Sequence, residues 1–163
     1  MERVLSAIGD KLAWAEKLFI KVSMAILTLV VVIHIGMRNA GLYVSWTYDV
    51  SMLLFTWLVF IGAALAVRDG SHYLIDIWSY KSLVRFKRGI IVFSAIAVAV
   101  LLVILIWQGF KMTWFVRGRI SGAGEIGMAY YMISIPVSSL LSLFHLAEYV
   151  LRSWKENGKE VAP

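Results

Sequence analysis

The sequence predicts an all-α integral membrane fold: four transmembrane helices, N-terminal and central interfacial amphipathic helices, and both termini in the cytoplasm. Three observations predict it. Of 163 residues 61% are hydrophobic and the mean hydropathy is +0.80, which leaves too little polar surface to enclose a soluble core. Four apolar runs each approach the roughly twenty residues that a helix needs to cross a bilayer core. Charges gather between the runs. The tryptophans, Trp57 apart, lie near run ends, at the level where an indole is apolar on its face and wet at its N–H. Residues 1–163 read as a single membrane domain.

Taken in order, Val4, Leu5, Ile8, Leu12 and Ala15 recur at helical spacing, with Glu2, Arg3, Asp10, Lys11 and Lys17 mostly elsewhere. That pattern predicts an interfacial helix over 2–17. Its acidic residues and the long apolar run behind it make a poor secretory signal, so the first span is expected to be kept. Span one is predicted over 18–37, with Lys21 close enough to its end to snorkel. A short link follows Arg38, Asn39 and Gly41, so spans one and two are expected to be antiparallel neighbours.

Span two is predicted over 48–67, with Asp49 near its start and Arg68 closing it. Gly62 and Ala66 form a small-xxx-small pair that admits a second helix closely. Trp57, at mid-span, reads either as bulk packed in lipid or within the chain, or as an anchor against a second membrane protein. Tyr73, Ile77, Tyr80 and Val84 form a helical stripe, which predicts the second interfacial helix over 72–87.

Span three is predicted over 89–110. The apolar and aromatic pattern continues to Val116, so the helix is long and tilted or projects past the bilayer. Residues 117–127 are glycine-rich. They lack both the phosphate-loop spacing and a leading strand, and read as a flexible connection. Span four is predicted over 128–151. Pro136 inside it deletes one backbone hydrogen bond and predicts a kink, with Ser134, Ser138, Ser139 and Ser142 placed to satisfy freed backbone groups.

The net charge of +6 comes from basic residues beside apolar spans, which points to lipid headgroups and away from nucleic acid. With four spans, Arg3, Lys11, Lys17, Lys21, Arg68, Lys81, Arg85, Lys87, Arg88, Arg152, Lys155 and Lys159 share one side. The other side holds Arg38, Lys111, Arg117 and Arg119. The positive-inside rule then places both termini in the cytoplasm.

The chemistry is sparse. Absence of cysteine removes thiol relays, thiolate nucleophiles and iron–sulfur ligation. Haem between two histidines is the main cofactor alternative. His34 lies near the outer end of span one and His145 near the inner end of span four, a depth difference of about 15 Å, which argues against one iron taking both. No span carries an acidic residue near its centre, as a self-sufficient ion-coupled transporter would need, and no Ser, His and Asp share a depth. The expectation is a non-catalytic scaffold without cofactor or metal. The alternative is a haem- or quinone-binding membrane anchor of an oxidoreductase.

One stretch carries a family likeness. Trp46-x-x-Asp49, then Phe55-Thr-Trp57-Leu-Val-Phe60-Ile-Gly62-Ala-Ala-Leu-Ala-Val-Arg68, then His72 and Asp76 resembles the small membrane subunit, DctQ/SiaQ type, of tripartite ATP-independent periplasmic (TRAP) transporters. Gly127-Met128 through Tyr131 to Ile135-Pro136-Val137 resembles that family's fourth span. Asp49 departs from the family's glutamates and Ser138 from its glycine. The resemblance implies a multi-pass subunit of the bacterial inner membrane. It would brace a large sodium-coupled permease, which takes up organic acids from a periplasmic binding protein. It further implies a partner interface through Trp46, Asp49, Phe55, Trp57, Phe60 and Gly62. Arg68, His72 and Asp76 are expected to form a cytoplasmic polar cluster, a role that local capping and salt bridging would equally explain. Lys81, Arg85, Lys87 and Arg88 are expected to hold phospholipid headgroups.

Overall fold

The computed structural model describes the backbone of residues 2–42, 44–68, 87–122, 124 and 126–159, and side chains over 8–42, 44–68, 93–122, 124 and 126–150. The central interfacial helix expected over 72–87 therefore falls almost wholly outside the described residues. The described chain is helical: α1 (Glu2–Asn39), α2 (Ser45–Arg68), α3 (Lys87–Phe115), α4 (Met128–Met132) and α5 (Ser134–Lys159). Four stretches are long and apolar enough to cross a membrane: Ile8–Asn39, Ser45–Arg68, Phe93–Phe115 and Met128–Val150.

The first helix differs from the sequence expectation. Residues 2–17 do not form a separate element; α1 runs unbroken for 38 residues. Ala13 and Glu16 are buried at 1% and 5% exposure, so one face of the described part of this stretch is packed against the bundle. No glycine or proline interrupts the ladder between Gly9 and Gly36, and nothing local would break it there. The helix ends in a Schellman cap: Leu42 N–H reaches Met37 C=O at 2.9 Å and Gly41 N–H reaches Arg38 C=O at 3.1 Å. Gly41 takes φ +76°, a left-handed conformation that a side chain would strain.

The helices pack in the spatial order α1, α2, α5, α3. The two inner positions go to α2 and α5, and α1 touches α5 only lightly. Val67, Ala95, Leu102 and Leu146 form the apolar core between α2, α3 and α5. The flanking helices turn large apolar side chains outward, among them Trp14, Leu29 and Val32 on α1 and Phe93, Val100 and Trp107 on α3. That is the reverse of a water-soluble bundle and is what a hydrocarbon solvent permits.

Span four is broken close to where the sequence predicts a kink. The helix is interrupted at Ile133, three residues ahead of Pro136. The serines bond nearby carbonyls, though not Met132 C=O, whose donor the proline removes: Ser134 Oγ donates to Tyr131 C=O at 2.6 Å, Ser138 and Ser139 to Ile135 C=O at 3.0 and 2.7 Å, and Ser142 to Ser138 C=O at 2.9 Å. Gly109 of α3 lies against this bend. A Cβ there would stand 2.8 Å from Pro136 Cδ and 3.1 Å from its nitrogen, so α3 and α5 meet where one helix lacks a side chain and the other lacks an N–H.

Candidate functional site

Polar side chains are buried at both ends of the bundle. At the end bearing the termini, α1, α2 and α5 converge on a set of charges. Arg68 closes α2 and donates to Asp10 of α1, while its Nε stands 3.8 Å from Glu148 Oε2 of α5. One turn earlier on α5, His145 Nε2 faces both oxygens of Glu16 at 3.0 Å. Its Nδ1 is 4.0 Å from Glu148 Oε2. His145 is fully buried, Glu148 is 4% exposed and Glu16 is 5% exposed. Asp10 is the wet member, its side chain 67% exposed. Gly9 makes room for the arrangement, because a Cβ on it would collide with the Glu148 carboxylate.

The arrangement holds helices together. Charges in a low-dielectric interior are tolerable only when paired and hydrogen-bonded. Here each buried polar group meets a partner on a different helix, so sliding one helix against another breaks these contacts. His145 and Glu16 join α5 to α1, Arg68 and Glu148 join α2 to α5, and Arg68 and Asp10 join α2 to α1.

The opposite end carries the short α1–α2 link and the α3–α4 hairpin. Asp49, 1% exposed, is its centre. Ser121 Oγ donates to Asp49 Oδ1, Ile126 N–H donates to Oδ2 at 3.2 Å, and the Tyr131 hydroxyl donates to the Asp49 carbonyl at 3.0 Å. Thr47, fully buried, gives its hydroxyl proton to Val44 C=O at 2.8 Å. With that proton committed, Thr47 Oγ1 accepts from His34 Nδ1 at 2.7 Å, which puts the imidazole proton on Nδ1. The glycine-rich segment was expected to be a flexible connection; its described residues, 117–122, 124 and 126–127, carry a hydrogen-bonded turn. Ile120 and Gly127 form an antiparallel bridge, Met128 N–H reaches Arg119 C=O at 2.9 Å, and Ser121 N–H reaches Ile126 C=O at 2.8 Å. The glycines gave no sign that a carboxylate more than seventy residues upstream would accept from Ser121 and Ile126.

Asp49→Ala tests that assignment. It leaves Ser121 and Ile126 without their acceptor and is expected to weaken the hairpin by about 1–3 kcal/mol. The measurement is protease nicking between Arg117 and Met128 in detergent, expected to speed up while the helices stay protected. Cutting at the wild-type rate would mean that Asp49 does not hold the hairpin.

The residues singled out from sequence fall in different places. Arg68 is in the charged set, but its companions are Asp10 and Glu148; His72 and Asp76 lie outside the described residues, as do Lys81 and Arg85 and the side chains of Lys87 and Arg88. Asp49 does not face outward as a partner surface requires; its carboxylate turns into the fold. Trp57 is half-buried: its indole N–H donates to Tyr130 C=O at 3.1 Å beside the span-four bend, and its ring meets Phe19 edge-on at 6.4 Å. Phe60 is half-buried, whereas Trp46 and Phe55 are exposed at 42% and 56%. Gly62 borders open space. Sequence reading passed over Glu16, His145 and Glu148 as a set. Part of the signal is local, since His145 and Glu148 are one helical turn apart, but the sequence pattern puts Glu16 in the expected interfacial helix, outside the first span. The two bundle histidines, His34 and His145, sit at opposite ends, in separate hydrogen-bonded groups.

The family model described as Tripartite ATP-independent periplasmic transporters, DctQ component, matches residues 27–156. No curated protein and no solved structure matches the chain.

Proposed function

Because the chain belongs to the DctQ component family of the tripartite ATP-independent periplasmic transporters, we propose that it is the small integral-membrane subunit of such a transporter. In this reading it braces a large sodium-coupled permease, which imports organic acids handed over by a periplasmic binding protein. It lies in the bacterial inner membrane with both termini cytoplasmic, a placement supported by the lysines and arginines concentrated on the terminal side. The family is a transporter component and not an enzyme family.

The observation that carries the bracing role is how the buried charges are used. Glu16, Arg68, His145 and Glu148 tie three helices together at one end, and Asp49 clamps the hairpin at the other. Such ties resist relative helix motion, which is what a brace needs and what a moving carrier must avoid.

The face offered to the permease is read from α2. Although this helix is central, Tyr48, Met52, Phe55 and Val59 remain exposed along one stripe. Their spacing of four, three and four keeps them on one side. The stripe ends near Gly62, where an added Cβ would meet nothing within 4 Å. A helix of the large subunit can approach closely there. Phe55 belongs to this proposed interface, whereas Trp46 and Phe60 lie off its stripe.

Gly62→Leu is the direct test, since it fills the approach without an internal clash. The tagged variant is expected to insert and fold normally, yet to recover the large permease from native membranes at least tenfold less well than wild type. Equal recovery would remove this stripe as the interface. Failure of the wild-type chain to bring down any large membrane protein would remove the brace reading itself.

A further inference from the structure

At the hairpin end, α3 finishes with Trp114 and Phe115, and the chain then turns back tightly. Val116 N–H bonds Met112 C=O at 3.0 Å, Arg119 N–H bonds Val116 C=O at 2.9 Å, and Val116 itself is buried. The turn lays two guanidinium groups over the two rings that close the helix. Arg117 Cζ is 4.0 Å from the Trp114 ring centre, and Arg119 Cζ is 5.0 Å from that of Phe115. The Arg119 backbone is fixed on both sides, its N–H to Val116 and its C=O to Met128. Trp114 and Phe115 are nevertheless 72% and 65% exposed. Among the described residues neither arginine has a carboxylate in ion-pair range.

Stacking a guanidinium on an aromatic face uses its flat surface and leaves its in-plane N–H groups pointing outward. That edge matches the oxygens of a phosphate, which it grips through two parallel hydrogen bonds. Depth identifies the source. Helix α3 has 29 residues, about 44 Å of helix against a hydrocarbon core of about 30 Å. Its final turn therefore emerges among headgroups. Trp107, two turns earlier on the same face and 74% exposed, begins the aromatic belt that Trp114 completes. We propose that Arg117 and Arg119, stacked on Trp114 and Phe115, form a binding site for the phosphate of a phospholipid headgroup at the hairpin end of the bundle.

The site is tested on the full chain, stripped of lipid in detergent. It is titrated with dioleoyl phosphatidylglycerol and, separately, with dioleoylglycerol, which has the same tails and no phosphate. Adducts are counted by native mass spectrometry. Wild type is expected to prefer the phosphate-bearing lipid, and R117Q/R119Q to bind it roughly tenfold more weakly. R117K/R119K keeps the charge but loses the stacked, two-pronged edge, and is expected to fall between them. Helical content by circular dichroism is expected to match wild type in both variants. Undiminished lipid binding by R117Q/R119Q overturns the proposal. So does equal affinity for dioleoylglycerol, or displacement of the lipid by inorganic phosphate at matched concentration. If R117Q/R119Q instead lost only its hold on an acidic soluble protein, the surface would belong to protein recognition and the lipid assignment would fall.

Discussion

Replacing Arg68 with alanine is expected to destabilise the bundle by about 3–5 kcal/mol. Arg68 is 15% exposed in its side chain and stands between Asp10 and Glu148. Asp10 is wet and its pairing contributes little. Glu148 is different: it is 4% exposed and packed against Gly9, where no side chain can give way. Without the guanidinium its carboxylate remains in a dry site beside Glu16 and His145, and the three-helix junction loses its main cation. The loss is read as a shift in the SDS concentration that unfolds the purified chain. Glu148→Gln in the same molecule is expected to restore much of it, because a neutral amide in that position does not require a cation. That rescue separates an electrostatic tie from simple loss of arginine's packing. Wild-type unfolding by Arg68→Ala would show that these charges do not hold α2 to α5.

Gly109→Val has the second large effect, an expected loss of about 3 kcal/mol. The new Cβ would stand 2.8 Å from Pro136 Cδ and 3.1 Å from Pro136 N. One contact is a rigid ring and the other is backbone, so neither can swing aside as a flexible side chain would. Relief comes only by parting α3 from α5, which also opens the core around Leu102 and Leu146. Gly62→Ala is the matched control. Its Cβ meets open space, and the change from glycine in a helix is expected to be neutral or to stabilise by up to about 1 kcal/mol. Opposite signs in the same SDS titration would confirm that the Gly109 effect arises at the Pro136 contact. Matching signs would contradict the close packing of the two helices.

The span-four bend shows how much a local pattern can reveal. Proline lacks an N–H wherever it stands, and serines three or four residues apart on a helix reach the same backbone row. Pro136 and its flanking serines were therefore legible before any packing was known. The reach of α3 to Phe115 was legible too, from apolar residues continuing past Trp107. The junction of Asp10, Glu16, Arg68, His145 and Glu148 was not. Charge in residues 2–17 resembles the polar face of a surface helix, and nothing in that segment says that Glu16 turns inward to His145. Arg68 was expected to join His72 and Asp76, which lie outside the described residues; among the described residues its partners are 58 positions before it and, on α5, far beyond it. The partners of Asp49 were equally out of reach of a local pattern. Near a span end a carboxylate reads as a surface group until the hairpin that needs it is seen to fold over it.

Hydropathy and length by themselves determined the class of this protein and the existence of its four long apolar helices. A helix satisfies its own backbone, and twenty apolar residues have few other stable states in a bilayer. Only the tertiary structure decided which charges are buried, that α2 and α5 take the inner positions, and that Asp49 supplies acceptors to Ser121 and Ile126 of the glycine-rich segment. Those outcomes depend on groups meeting across helices. Lipid tails are as apolar as leucine, so greasiness cannot choose helix neighbours; close packing at Gly109 and paired charges around His145 can.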